Sequence, residues 1–180
     1  MGTVFLVILA IAVLFLIFRK KPKKVGEIHA NQNHYFDKLQ FSSDDFYTLV
    51  KKLLAERQMP DTRIMRTSYH EASILSNKRE YLRVERKEDV FDICAAPFGT
   101  GFFVSYWHGE PEHALRDMAL KIPYLSIAVE GFQGTTYYKE DTASMFRACV
   151  KDSIMEAIEQ ITTSQGVRGL SEAERMAFSK

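Results

Sequence analysis

The chain is poor in cysteine, carries no excess of either charge and shows no catalytic or cofactor signature. Two cysteines, Cys94 and Cys149, exclude a disulfide framework and read as small buried hydrophobes. None of the five histidines, His29, His34, His70, His108 and His113, stands at zinc spacing from them, so neither a metal nor a cofactor is expected. There is no internal repeat and no low-complexity tract. Lysine and arginine total 24 against 23 aspartates and glutamates. Five of those cations cluster at residues 19–24, which leaves 19 against 23, or −4, for residues 25–180. That sign excludes nucleic acid as an expected partner, because such binding rests on neutralising phosphates.

What is present begins with fifteen consecutive apolar residues, Val4 to Phe18. With Gly2 and Thr3 they make a helix of about 25 Å, near the lower limit for crossing a bilayer. A cleaved signal peptide would have positive charge before the run and small residues after it, and neither occurs. Gly2 lacks the Ser or Thr that a myristoylation motif needs at position 6, where Leu6 stands. The run therefore reads as a single transmembrane signal-anchor, residues 1–18. Arg19, Lys20, Lys21, Lys23 and Lys24 follow at once. Basic residues beside a span stay on the cytoplasmic side, so the N-terminus is expected outside, the C-terminal body in the cytoplasm and the flank against the lipid bilayer.

Residues 19–40 read as basic flank and tether, since 25–40 show no sustained period. Residues 41–180 are enough for a single cytoplasmic domain. Ser42 caps a helix whose stripe is Phe46, Leu49, Val50, Leu53 and Leu54, stopped by Met59-Pro60-Asp61. The period then changes to two, predicting strands over Thr62–Glu71, Glu80–Arg86, Val90–Phe98 and Phe102–Trp107, with Gly99-Thr100-Gly101 as a hairpin tip. Pro111 opens a helical stretch to Ile122, and Thr135–Tyr138 offers an edge strand. A long helix, capped at Asp141 or Thr142 and buried along Phe146, Cys149, Val150, Ser153, Ala157, Ile158 and Ile161, ends at Gly166. Ser171 and Glu174 have the spacing of a capping box for a short last helix. The fold class is α+β, an antiparallel meander of four to five strands packed by helices on one face.

Turning the second and third strands at Glu88-Asp89 sets Val84 opposite Ile93. Turning the third and fourth through Gly99-Thr100-Gly101 sets Ile93 opposite Trp107. One face is then core, and the other carries Tyr81, Arg83, Asp92, Cys94, Phe98, Phe102, Val104, Tyr106 and His108. Asp92, Cys94 and His108 are the candidate catalytic set of a cysteine-type hydrolase. The structural alternative pairs Asp92 with His108 or Arg83 and leaves Cys94 as packing. Tyr81, Arg83, Phe98, Phe102 and Tyr106 form an aromatic face that needs a cover, supplied by residues 111–132 or by a protein partner at the membrane. The leading function is a membrane-anchored, protein-binding or scaffold domain of a membrane-associated assembly. A hydrolase is the rival, and a lipid-binding domain using Tyr124–Val129 is the third reading.

Overall fold

The computed structural model describes residues 25–70, 78–111 and 136–179. The apolar run with its basic flank, the helical stretch expected beyond Pro111 and the segment Tyr124–Val129 lie outside the described residues. Among the described residues no helix is long and apolar enough to cross a membrane.

The elements are β1 (Val25–Phe36), α1 (Ser43–Glu56), β2 (Arg63–His70), β3 (Lys78–Arg86), β4 (Asp89–Phe98), β5 (Gly101–Pro111), α2 (Tyr137–Ser164) and α3 (Glu172–Ser179). The strands form one antiparallel sheet in the order β1-β5-β4-β3-β2. This is the expected α+β arrangement, a meander from β2 to β5 with a fifth strand beside it. Helices cover one face: Phe46 of α1 packs on Phe102, Phe146 of α2 on Phe91 and Phe178 of α3 on Tyr106.

The fifth strand is not where the sequence placed it. Residues 25–36, read as tether, are β1, while Tyr137 and Tyr138, read as strand, open α2. β1 hides from a period search because its faces are polar: Ala30, Gln32 and His34 lie toward the helices, Asn31 and Asn33 away from them. Among its described side chains only Phe36, at its end, is buried core. A polar edge strand resists pairing with other chains, which accounts for that composition. α2 is capped by Thr136, whose hydroxyl accepts from the Lys139 N–H at 3.2 Å, five residues before the first expected cap. Its expected buried face holds except at Cys149, which is half-buried, and it gains Ile154.

Two register errors have different consequences. The β3–β4 turn is Lys87-Glu88, so Leu82 meets Ile93 and Val84 meets Phe91. That is a two-residue slip from the expected pairing, and it preserves faces. The β4–β5 turn is Gly99-Thr100, closed by Phe98 and Gly101, with Gly99 at φ 57°. Ile93 therefore meets Tyr106 and not Trp107, and Pro97 meets Phe102 and not Phe103. A one-residue slip exchanges the faces of a whole strand. Phe102, Val104, Tyr106 and His108 consequently lie under the helices, and Trp107 lies on the far face, 40% exposed.

α2 runs alongside β4 from one end of the sheet to the other. Near its start Arg147 Nε donates to Asp89 at 2.8 Å, at the beginning of β4. At its end Gln165 donates to the Gln40 carbonyl, and Gln40 donates to the Thr100 carbonyl in the β4–β5 turn. The sheet thus has one pole with Val25, Pro111 and Asp89, and another with Phe36 and Thr100.

Candidate functional site

The most distinctive feature is a fork in the sheet. β3 and β4 pair from Arg86↔Asp89 to Leu82↔Ile93 and then part, β3 continuing with β2 and β4 with β5. Pro97 marks the parting. Phe98↔Gly101 closes a two-residue hairpin, so alternate residues from there turn their N–H groups toward β5, and Ala95 and Pro97 turn toward β3. A proline is tolerated only on such an unpaired edge.

Tyr47 of α1 fills the gap. Its hydroxyl accepts from the Ala95 N–H at 2.9 Å and lies 2.9 Å from the Glu80 carbonyl and 3.3 Å from that of Ala95, to either of which it donates. One side chain thus satisfies backbone groups that the broken ladder would orphan. Burial pushes its phenol well above the ordinary range, despite the bond from Ala95. Beside it opens a cleft of about 590 Å³, walled by Tyr47 and Asp44 of α1, Tyr69 of β2, Lys78, Arg79 and Tyr81 of β3, and Ala95 of β4. That volume suits a small ligand or a few residues of a peptide.

Behind the cleft, Arg83 is fully buried and grips Asp92 in two bonds, Nε to Oδ1 at 2.7 Å and Nη2 to Oδ2 at 2.6 Å. Tyr69 donates to the same carboxylate at 2.8 Å, and Arg83 also contacts the Tyr69 hydroxyl. Burial alone would lower the Arg83 pKa, but its bond to Asp92 reverses this and holds the guanidinium charged. Tyr81 stands edge-on to Tyr69 with ring centroids 5.3 Å apart.

Neither a protein-family model nor a curated protein matches the chain.

The three candidate catalytic residues are divided between the two faces. Asp92 and Cys94 lie on the far face, opposite Trp107 and Ser105, whereas His108 lies under the helices opposite Phe91. Asp92 pairs with Arg83, one of the two partners expected for it. His108 Nε2 is 2.8 Å from Asp89, which also accepts from Arg147. Cys94 is 1% exposed, and burial raises its thiol pKa against the opposing pull of Arg79, Ser105 and Tyr47. Burial thus favours the protonated thiol, and His108, the base expected for it, lies on the other face of the sheet. Among the described residues no three His, Cys, Asp or Glu side chains are placed to hold a metal ion.

The expected aromatic binding face is divided in the same way. Phe102 and Tyr106 are core, covered by Phe41 and Phe46 and by Phe178; Tyr106 also donates to the Phe178 carbonyl at 2.7 Å. Their cover is internal and comes from Phe41, α1 and α3. Tyr81 and Arg83 remain together at and behind the cleft, while Phe98 is 70% exposed at the β4–β5 turn. Sequence reasoning missed Tyr47, Tyr69 and Arg79. The available signal was Pro97, a proline inside an otherwise regular strand pattern.

Proposed function

We propose that the protein is a single-pass membrane protein, N-terminus outside, whose cytoplasm-facing α+β domain acts by binding through the cleft at the β3/β4 fork, as a component of a membrane-associated assembly. The observation that carries the binding reading is the fork: an open cleft of about 590 Å³, braced by Tyr47, with aromatic and cationic side chains on its walls. Val4–Phe18 and the flank Arg19, Lys20, Lys21, Lys23 and Lys24 support the anchor. β1 begins at Val25, one residue after Lys24, so the spacer between bilayer and domain is no longer than the flank. The pole bearing Val25 and Pro111 then faces the leaflet. The cleft sits six residues up β4 from Asp89, about 20 Å away at strand rise, and so lies toward the pole remote from Val25. The hydrolase reading gains no support from this geometry, because His108 lies across the sheet from Cys94.

Fractionation should leave the intact chain in the membrane, released by detergent and not by carbonate. A reporter fused after Lys180 should read as cytoplasmic, and Ser at the five flank positions should give mixed topology. An external reporter signal would overturn the orientation. Joint replacement Arg79→Ala and Tyr81→Ala should leave the melting temperature nearly unchanged and abolish co-purification of a membrane partner. Retention of that partner would remove the cleft from the function.

A further inference from the structure

Charge around the cleft is uneven. Its carboxylates, Asp44 and Glu80, are both held by Arg66, at 3.1 and 3.4 Å. The cations of the β3 wall are not matched in the same way. Of the nine arginines among the described residues, seven meet a carboxylate, and Arg86 donates to the Pro60 carbonyl. Arg79 also has no carboxylate partner among the described residues, and unlike the buried Arg86 it is exposed, with the Cys94 thiol and the Tyr81 phenol as its neighbours. Lys78, exposed beside it on the same wall, has none either.

The surroundings of Arg79 are flat and aromatic. Tyr69 is its direct partner across β2 and β3, Tyr81 is the next residue on its own face, and their rings stand edge to face. A guanidinium is a planar fork suited to a carboxylate or phosphate, and tyrosine faces suit an unsaturated ring. The nearby Asp92 carboxylate is held by Arg83 and Tyr69.

We infer that the cleft recognises an acid group, carboxylate or phosphate, carried on a flat apolar body, with the anion at Arg79 and the body against Tyr69 and Tyr81. This rests on the cleft being the binding site, and not on the membrane anchor. The acid group comes either from a free small molecule or from a side chain of a protein partner.

The test uses the full chain in zwitterionic detergent micelles with carbon-13-labelled tyrosine, titrated with phenyl phosphate, with benzoate and with the neutral benzyl alcohol. At least one of the two anions should shift the Tyr69 and Tyr81 signals saturably, and Arg79→Ala should weaken it by about tenfold or more, the loss of one charge-assisted contact. Arg79→Lys should restore part of that loss. Arg79 is exposed and among the described residues has no ion pair, so Arg79→Ala should melt within a few degrees of the parent chain. A capped phosphotyrosine peptide binding more tightly than phenyl phosphate assigns the acid group to a protein partner; weaker binding assigns it to a free ligand. Equal shifts from benzyl alcohol and benzoate, unchanged by Arg79→Ala, would overturn the acid-group inference and leave the cleft as a binding site. No shift from any probe would overturn both.

Discussion

Tyr47 does the work of a missing ladder bond. Phenylalanine in its place keeps the ring, and with it the Arg66 guanidinium 4.2 Å from the ring centroid, but strips a partner from the Ala95 N–H and the Glu80 carbonyl. Tyr47→Phe should cost about 1–3 kcal/mol in urea denaturation, the penalty for buried backbone groups left unsatisfied. A cost near zero would mean that the fork is held by strand geometry alone. Arg83 and Asp92 form a tighter unit. Arg83→Met should cost about 3–5 kcal/mol because it strands a buried carboxylate, and adding Asp92→Leu should recover much of that loss. Asp89 makes a pH-dependent contribution. Burial would raise its pKa, but the bonds from His108 and Arg147 outweigh it and hold the carboxyl below its ordinary 3.8. Such a group stabilises the fold fully above that ordinary value, and the contribution disappears as pH falls through the lowered folded value. Asp89→Asn should therefore lower the melting temperature at neutral pH and flatten its decline in acid. An unchanged acid limb would remove Asp89 from that decline.

At the level of elements, the sequence was legible where a side chain has a local duty. Ser42 caps α1 by accepting from Asp45, and Ser171 and Glu174 close a reciprocal box before α3. The stripe of α1 is buried at Phe46, Val50, Leu53 and Leu54 as its period required. What escaped depends on partners distant in the chain. β1 has no apolar period because its pairing with β5 is almost all backbone, and the register of β4 against β5 turned on whether the hairpin used two residues or three. The candidate site suffered most from that choice, since one residue of slip gathered His108 with Cys94 and Tyr106 with Tyr81. Gly101 fixes the true register. A Cβ there would lie 2.3 Å from the Phe36 carbonyl oxygen and 2.6 Å from the Tyr35 ring, so only glycine lets β1 close over the hairpin. Gly101→Ala should cost about 1–3 kcal/mol, as overpacking does, and should speed amide exchange at the end of β1 before elsewhere. Unaltered exchange at His34 and Phe36 would show that the strand accommodates the methyl group.

For the whole molecule, β1 ties the core to whatever precedes it. The strand runs directly on from the basic flank, supplies Phe36 to the core, bonds the Tyr106 carbonyl through Asn31 and brings His34 within 4.0 Å of Glu174 on α3. β1 is held to the sheet through β5 alone. Removing it would expose the edge of β5, the strand that holds Phe102, Val104 and Tyr106 in the core, and would free a run of unpaired backbone groups. A chain beginning at Val25 should therefore melt cooperatively, whereas one beginning at Asp37 should lose its cooperative transition in circular dichroism and associate on a sizing column. Equal melting of the two chains would show that the four-stranded meander stands alone. In that case β1 would be an accessory of the flank, and the proposed close seating of the domain on the bilayer would lose its structural ground.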